Sequence, residues 1–450
     1  MKKAKITLVL LLSLLVFRAG TISAEISGEL RQRWLDDAVA AYVYGFAPVE
    51  MYRTAYQMVV SGEHQVVTGA FNRYHHSRQL ATADDRWLVS PNNDTLYSNA
   101  WLDLSNGPVV LRTPDMGDRY YILQLMDIYS NNFAMLGTRT VGNGERSYWV
   151  ANSGWQGEVP AGMQEVRAPS NYIWILGRLH IRAGEELQAV HFLQTQFGIE
   201  ESALTSNQLP LAYNSEQPFN FYRILDVVLR LAAPAAVDQA ILAKINRLGI
   251  GNDQPFDPIQ LEDWQRSLLK LAETIGHQRI VTHSTQYTTL GNGWIYDGEN
   301  GGRFGADYLS RAATAMTGLG VLSIEEAFYP FVFVDNEGEV LRGGRRYRLR
   351  FSAETMPDAT FFWSLSAYEL PQWSLIDNPI DRYSLGNLSS DLLYSPDGSL
   401  DILLQQEIPK KFNNWLPTPK EGQFSLILRI YGPSPTSWLT YIPPVVERIR

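Results

Sequence analysis

The segment Ser90-Pro-Asn-Asn-Asp-Thr-Leu-Tyr-Ser98 gathers two amides, a carboxylate, a phenol and several hydroxyls directly ahead of the apolar alternation NAWLDLSNGPVVLRTP. Side chains of these types fit three uses. A carboxylate and a phenol can exchange protons with a substrate, so Asp94, paired with Asp103 or Asp127 near Tyr97 and Arg119, forms a candidate set for general acid-base catalysis. Asp94, the amides of Asn92 and Asn93 and nearby carbonyls could instead ligate a hard divalent cation through oxygen. The run Pro91-Asn92-Asn93-Asp94 is also turn-forming, because Asn and Asp side chains bond their own backbone. One arrangement combines the first and last: Asn92 and Asn93 tie the loop and so aim Asp94 and Tyr97 inward.

Other familiar chemistries have no motif in the chain. It contains no Gly-x-Ser-x-Gly elbow, no GxxxxGK[ST] phosphate loop, no GxGxxG after a strand and no HExxH helix. With no cysteine there is no thiolate nucleophile, no disulfide and no Cys-ligated metal. Of seven histidines, His75 and His76 are adjacent, and neighbours in a strand point to opposite faces, so they are read as hydrogen-bonding side chains and not as a chelating pair. The sequence requires no cofactor and defines no metal-ligand set. With 12 Trp and 23 Tyr the chain is rich in aromatic side chains, which fill cores and also form platforms for sugars or apolar small molecules.

Period and punctuation give the elements that must hold these residues. ELRQRWLDDAVAAYVYGFAPVEMYRTAYQMVVS, residues 29–61, has helical spacing at Trp34, Ala38, Ala41, Tyr42 and Gly45, with a break or kink expected at Pro48. From Val109 the period is two, and short runs such as RYYILQLMDIYSNNFAMLG and NYIWILGRLHI, divided by Gly, Asn, Asp and Pro, predict antiparallel strands. Helical spacing returns in GEELQAVHFLQTQFG, FYRILDVVLRLAAPAAVDQAILAKINRLGI, DPIQLEDWQRSLLKLAETIGHQRI and DYLSRAATAMTGLG. The final third is β again, with a hairpin expected around Asn336-Glu337-Gly338 and an edge strand in RGGRRYRLR whose arginines face water. The fold class expected is α+β: two antiparallel β-sandwich or jelly-roll-like domains, at 65–183 and 321–450, with an N-terminal helical segment at 25–64 and a helical middle region at 184–320.

The first residues carry Lys2, Lys3 and Lys5, then an apolar run from Ile6 to Phe17, then small residues to Ala24. That pattern is a secretory signal peptide cut after Ala24, and its apolar run is shorter than the ~20 residues a membrane span needs. The protein is therefore expected in the periplasm or secreted, with no membrane anchor after cleavage. The leader holds four basic and no acidic residues, so its removal takes the formal charge from −9 to −13. Such a balance argues against nucleic acid as a partner.

Several blocks resemble a bacterial pair of domains of unknown function, those numbered 1254 and 1214. SPNNDTLYSNAWLDLSNGPVVLRTPD and DRYYILQLMDIYSNNFAMLGTRTVGN match the first; NGWIYDGENGGRFGADYLSRAATAMTGLG, DNEGEVLRGGRRYRLRF, FFWSLSAYE, NPIDRYSLGN, SPDGSLDILLQ and NNWLPTPKEGQFSLILRIYGP match the second. The resemblance implies two sandwich-like domains with helices between and around them and an envelope or exported location. It assigns no reaction. It gives weight to the residues inside those blocks: Tyr121, Arg178 and Trp363 join Asn92 and Asn93 as substrate-binding candidates, and Asp103, Arg311, Arg382, Trp415 and Arg429 are further block positions. Two functions are expected. The first is an exported hydrolase or lyase acting on a small polar or glycan-like substrate through carboxylate, Tyr and Arg groups. The second is a non-catalytic ligand-binding or envelope-assembly protein, for which a homo-oligomer is compatible.

Overall fold

The computed structural model describes residues 2–86, 89–182, 187–201, 206, 208–298, 300–410, 414–435 and 440–449, with side chains from Gly28 onward. The expected cleavage point after Ala24 and the expected boundary at 183/184 lie outside the described side chains. Helix α1 (Lys2–Ala55) is continuous through Pro48 and ends in a π-helical turn, Tyr56–Ser61, closed by Gly62 at φ +68°. The break expected at Pro48 is absent for a specific reason. Proline has no N–H to offer the carbonyl one turn back, that of Tyr44, and Arg311 Nη2 donates to that carbonyl at 3.0 Å in its place.

Nine strands follow: β1 (His75–His76), β2 (Thr95–Asp103), β3 (Val109–Thr113), β4 (Tyr121–Met126), β5 (Asn132–Gly137), β6 (Arg146–Asn152), β7 (Gln164–Ala168), β8 (Tyr172–His180) and β9 (Gly198–Glu201). They form an antiparallel sheet in the order β1-β2-β8-β4-β5 and a second sheet in the order β7-β6-β3-β9, in which β6 and β7 run parallel. Alternation sorts the side chains of β2 and β8. Leu96, Ala100 and Leu102, with Ile173, Ile175 and Leu179, face the second sheet and make the sandwich core. Tyr97, Asn99 and Trp101, with Trp174, Leu176 and Arg178, take the opposite face. That face is covered too, so β8 is buried along its whole length.

Its cover is partly helical. Helices α2 (Leu187–Thr195), α3 (Asn220–Leu231), α4 (Gln239–Arg247), α5 (Asp263–His283) and α6 (Tyr308–Gly318) follow, and α1 packs against α3, α4, α5 and α6. One core joins Trp34, Tyr44 and Tyr52 of α1 to Tyr222, Leu225 and Leu269, and continues to Trp101, Trp174 and Leu176 of the sheet. Gly276 of α5 lets the helices approach closely: a Cβ there would lie 2.5 Å from the Tyr42 ring.

The C-terminal unit contains β10 (Thr288–Gly291), β11 (Trp294–Tyr296), β12 (Ala327–Phe328), β13 (Phe331–Val332), β14 (Arg346–Phe351), β15 (Ala359–Leu370), β16 (Ser374–Leu375), β17 (Ser384–Gly386), β18 (Leu400–Gln405), β19 (Trp415–Pro417), β20 (Gln423–Pro433) and β21 (Val446–Ile449). A large sheet runs β10-β11-β13-β20-β15-β16, with β12 added to β20 and β17 to β15, and faces a four-stranded sheet ordered β19-β18-β14-β21. Trp363, Leu365 and Ala367 of β15 and Phe424, Leu426, Leu428 and Ile430 of β20 point into the core between them. Strand β14, expected at an edge, is interior because β21 pairs with it. Its arginines do face outward: Arg348 pairs with Glu447, and Arg350 with Asp401 and Asp397. The architecture is α+β, two sandwich-type units with helices between and beside them.

Candidate functional site

The outer faces of the two large sheets meet, and the Ser90–Ser98 segment lies at their junction. On β15 the residues alternating with the core are Ser364, Ser366 and Tyr368; on β20 they are Arg429 and Tyr431. Asp94 is buried against this face. Its Oδ2 accepts the Ser364 hydroxyl at 2.6 Å and its Oδ1 the Ser384 hydroxyl at 3.2 Å. Burial pushes the Asp94 carboxyl above the usual carboxylate range, while Arg429 and the two hydroxyls pull it back. Arg429 lies 5.4 Å over the Tyr368 ring and donates to the Ser90 carbonyl at 2.9 Å. The loop is tied as its composition suggests: Asn92 Oδ1 accepts the Asp94 N–H at 2.6 Å, and Asn92 Nδ2 donates to the Tyr431 hydroxyl at 2.7 Å. Ser90 itself is left-handed at φ +49°, and its N–H donates to the carbonyl of Trp373, which is also left-handed at φ +57°. A strained backbone on both sides of one hydrogen bond marks where the chain is clamped between the units.

Beside this clamp is a cavity of about 730 Å³. Its inner wall is the outer face of β2 and β8, with Tyr97, Asn99, Trp174, Leu176 and Arg178. Leu319 and the segment after α1, including Met58 and Val66, close the sides, and residues 77–85, with 89–92, form a strap along it. Tyr97 and Arg178 are direct cross-strand partners, which places the guanidinium 5.4 Å over the phenol ring. Arg178 Nη1 donates to Gln124 Oε1 at 2.7 Å and Nη2 to the Gly320 carbonyl at 3.0 Å. Gln124 cannot turn away, since its own amide nitrogen is held by Asn132 Oδ1 and the Val321 carbonyl. Gly320 needs its φ of +89° there, and a Cβ would come within 2.9 Å of Leu176. His64 and His75 also line the space; burial lowers the His64 pKa, which keeps that ring neutral near pH 7.

The candidates from the sequence separate into different places. Tyr97, Asn92 and Arg178 line the cavity. Asp94 is next to it but is not a lining residue, and the set Asp94, Tyr97, Arg119, Asp127 does not gather in one space. Arg119 is buried and donates to the His180 carbonyl at 2.5 Å. Asp127 is taken up by its own turn, accepting from the N–H groups of Tyr129 and Asn131 and from the Asn131 amide. Asp103 likewise accepts the N–H of Ser105. Tyr121 lies in the first sandwich core, and Trp363 in the second, 5.5 Å from the Phe351 ring. Asn93 donates to the Ala81 carbonyl and so fixes the strap. Arg382 holds Asp391 and the Trp415 carbonyl. Among the described residues no group of three or more His, Asp or Glu side chains gathers as a metal site. Sequence reasoning missed Ser364, Ser384, Tyr368 and Gln124. A signal existed for the first: in FFWSLSAYE, Ser364, Ser366 and Tyr368 alternate with apolar residues, and small hydroxyls on one face of a strongly apolar strand mark a polar contact there.

Residues 71–201 match the family described as protein of unknown function DUF1254, and residues 326–435 match protein of unknown function DUF1214. The chain carries both domains, DUF1254 followed by DUF1214. Asp94, Tyr97 and Arg178 fall in the DUF1254 part, while Ser364, Ser384 and Arg429 fall in DUF1214, so the clamp joins the two domains. A crystal structure of the VPA0106 protein from Vibrio parahaemolyticus is similar over 93% of this chain and 100% of that one, at 24% identity and a TM-score of 0.74. An uncharacterized protein from Burkholderia cenocepacia is similar at 12% identity and a TM-score of 0.43, over 94% of this chain and 97% of that one. No curated protein matches the chain. The likeness to the Vibrio protein shows a shared fold for nearly the whole molecule.

Proposed function

We propose that this is an exported protein that binds a small molecule in the cavity between the outer face of the DUF1254 sheet and the strap. The observation that carries the reading is the cavity itself: about 730 Å³, with apolar Met58, Val66, Trp174, Leu176 and Leu319 in its wall beside many polar side chains, among them Tyr97, Asn99 and the buried Arg178. Small-molecule sites are concave spaces of roughly 300–1,000 Å³ in which apolar surface supplies contact and placed polar groups fix the orientation of the ligand. A hydrolase or lyase working through Asp94 is supported less well, because each oxygen of that carboxylate already accepts a serine hydroxyl from the other domain. Export is supported by the basic and apolar leader, and by the fact that residues 28–33 are exposed while packing of α1 begins at Trp34. Cleavage after Ala24 would leave that packed face whole.

Titration with Nile red, a neutral dye that fluoresces in apolar surroundings, tests the binding. The native protein should bind it, and Val66→Trp, which fills the cavity from a half-buried position, should bind it at least tenfold more weakly with an unchanged melting temperature. Equal binding by both would remove the cavity from the function. Intact mass of the exported protein should correspond to a chain starting at Glu25; a mass that includes Met1 would end the export reading.

A further inference from the structure

Among the described residues four arginines are buried: Arg119, Arg178, Arg311 and Arg429. Three of them have an acid close enough to act on electrostatically. Arg429 faces Asp94, Arg311 faces Asp127, and Arg119 acts on Asp118. Arg178 differs. Its acceptors are all neutral, the Gln124 amide, the Gly320 carbonyl and the Tyr97 hydroxyl; burial disfavours its charge, and the side chains that favour it are the phenols of Tyr97, Tyr329 and Tyr431. Among the described residues no Asp or Glu forms an ion pair with it. An arginine cannot shed its proton, so a buried one without a counter-charge is held at a cost that structural arginines avoid. Arg178 is also the member of the four that lines the cavity.

The rest of the wall does not neutralise it. The acids among the lining residues, Asp84 and Asp85, belong to the strap; Asp84 is exposed, and Asp85 accepts the N–H of Thr82 at 2.8 Å. Arg78, also lining the cavity, donates to two neutral acceptors, the His191 carbonyl and Gln194 Oε1. Beside Arg178 on the same face of β8 stand Leu176 and Trp174, and Leu319 also lines the space.

We infer that the cavity binds an organic monoanion, a carboxylate on an apolar body, with its carboxylate set against Arg178 and its body against Trp174, Leu176 and Leu319. The inference rests on the cavity being a ligand site, as proposed above. A guanidinium fork matches a carboxylate, and one buried positive charge balances one negative charge. A dianion would bring a second charge that no other buried cation is placed to meet. Gln124 and Gly320 act as positioning groups: they hold the guanidinium in one orientation without cancelling its charge.

Displacement of Nile red by octanoate, octan-1-ol and octylamine separates the claims, because the three share an apolar body and differ in the charge of the head. Octanoate should displace the dye at about tenfold lower concentration than octanol, and octylamine should be weakest. In Arg178→Gln the advantage of octanoate over octanol should vanish while octanol is unaffected. Arg178→Lys, which keeps a cation but loses the fork, should retain part of the advantage, and it decides the matter should Arg178→Gln not fold. Octanol matching octanoate on the native protein would overturn the monoanion inference and leave the cavity reading standing. Dye binding that ignores Val66→Trp would overturn both.

Discussion

Two buried arginines, each packed among tyrosines, have opposite surroundings. Arg311 on α6 sits within 4.7–5.9 Å of the rings of Tyr44, Tyr129 and Tyr308. The hydroxyls of Tyr44 and Tyr308 bond Asp238, and that of Tyr129 bonds the Ala232 carbonyl. Its Nη2 satisfies the carbonyl that Pro48 leaves without a partner, and Asp127 lies near as counter-charge. Arg178 has one ring beneath it, neutral acceptors and an adjoining cavity. The same side chain is thus a structural clip in the helical layer and an open charge in the sheet face. The difference lies in whether an acid stands near the cation and whether a cavity adjoins it.

The largest effect should come from breaking the closed region. Arg311→Ala should lower stability by about 3–5 kcal/mol in urea denaturation, because it leaves the Tyr44 carbonyl buried without its donor, removes the positive charge near Asp127 and empties the space among three tyrosine rings. Part of that loss, about 1 kcal/mol, should return in the double variant with Pro48→Ala, whose N–H can bond the Tyr44 carbonyl. Additive losses would mean that the proline and the arginine are not linked.

At the clamp, Asp94→Asn should cost about 2–3 kcal/mol through its lost charged hydrogen bonds and the uncompensated Arg429, with Nile red binding intact. Dye binding lost in step with stability would place Asp94 in the ligand site.

Beside the cavity, His76 bonds the Ser98 hydroxyl at 2.8 Å and stacks on Tyr74. Burial first, then Arg78 and His75, lowers its pKa from 6.5 to about 4. A depressed histidine contributes stability in full above its unfolded value, and that contribution is lost as pH falls from about 6.5 through about 4. After discount for partial exposure the loss should be about 2 kcal/mol, and His76→Asn should flatten the profile over that window. Asp94, whose pKa is raised, contributes with the opposite sign and favours the fold as its carboxyl is protonated, so the His76 variant is needed to separate the two.

Arg178→Gln should give the smallest change in stability, within about 1 kcal/mol of the native protein, since the bonds it loses are offset by removing an unbalanced charge. A loss as large as that of Arg311→Ala would make Arg178 a clip of the same kind.

Much of this organisation is legible in the sequence. The helical spacing of α1, the alternation of β2, β8 and β20, and the Asx turn at Asn92 are local features, and short-range sterics decide them. Pro48 shows the limit: locally it should break a helix, and the donor for the Tyr44 carbonyl it leaves open comes from a residue 267 positions beyond Tyr44. Strand β14 shows it again, since whether a strand lies at an edge depends on where the chain's last strand docks. For the site, the residue types were visible but their grouping was not. Asp94 and Tyr97 are three apart in the chain, yet one contacts the C-terminal domain and the other lines the cavity.

The sequence by itself determined the α+β class, the order of the elements and which side chains share a sheet face, because those follow from backbone periodicity and the burial of apolar surface. Only the tertiary structure decided that Asp94 is bonded by a serine 270 residues on, and that Arg178 is buried beside a cavity without an acid. The physical reason is that the worth of a buried charge depends on which distant groups are brought within a few ångströms of it, and no local pattern encodes that distance.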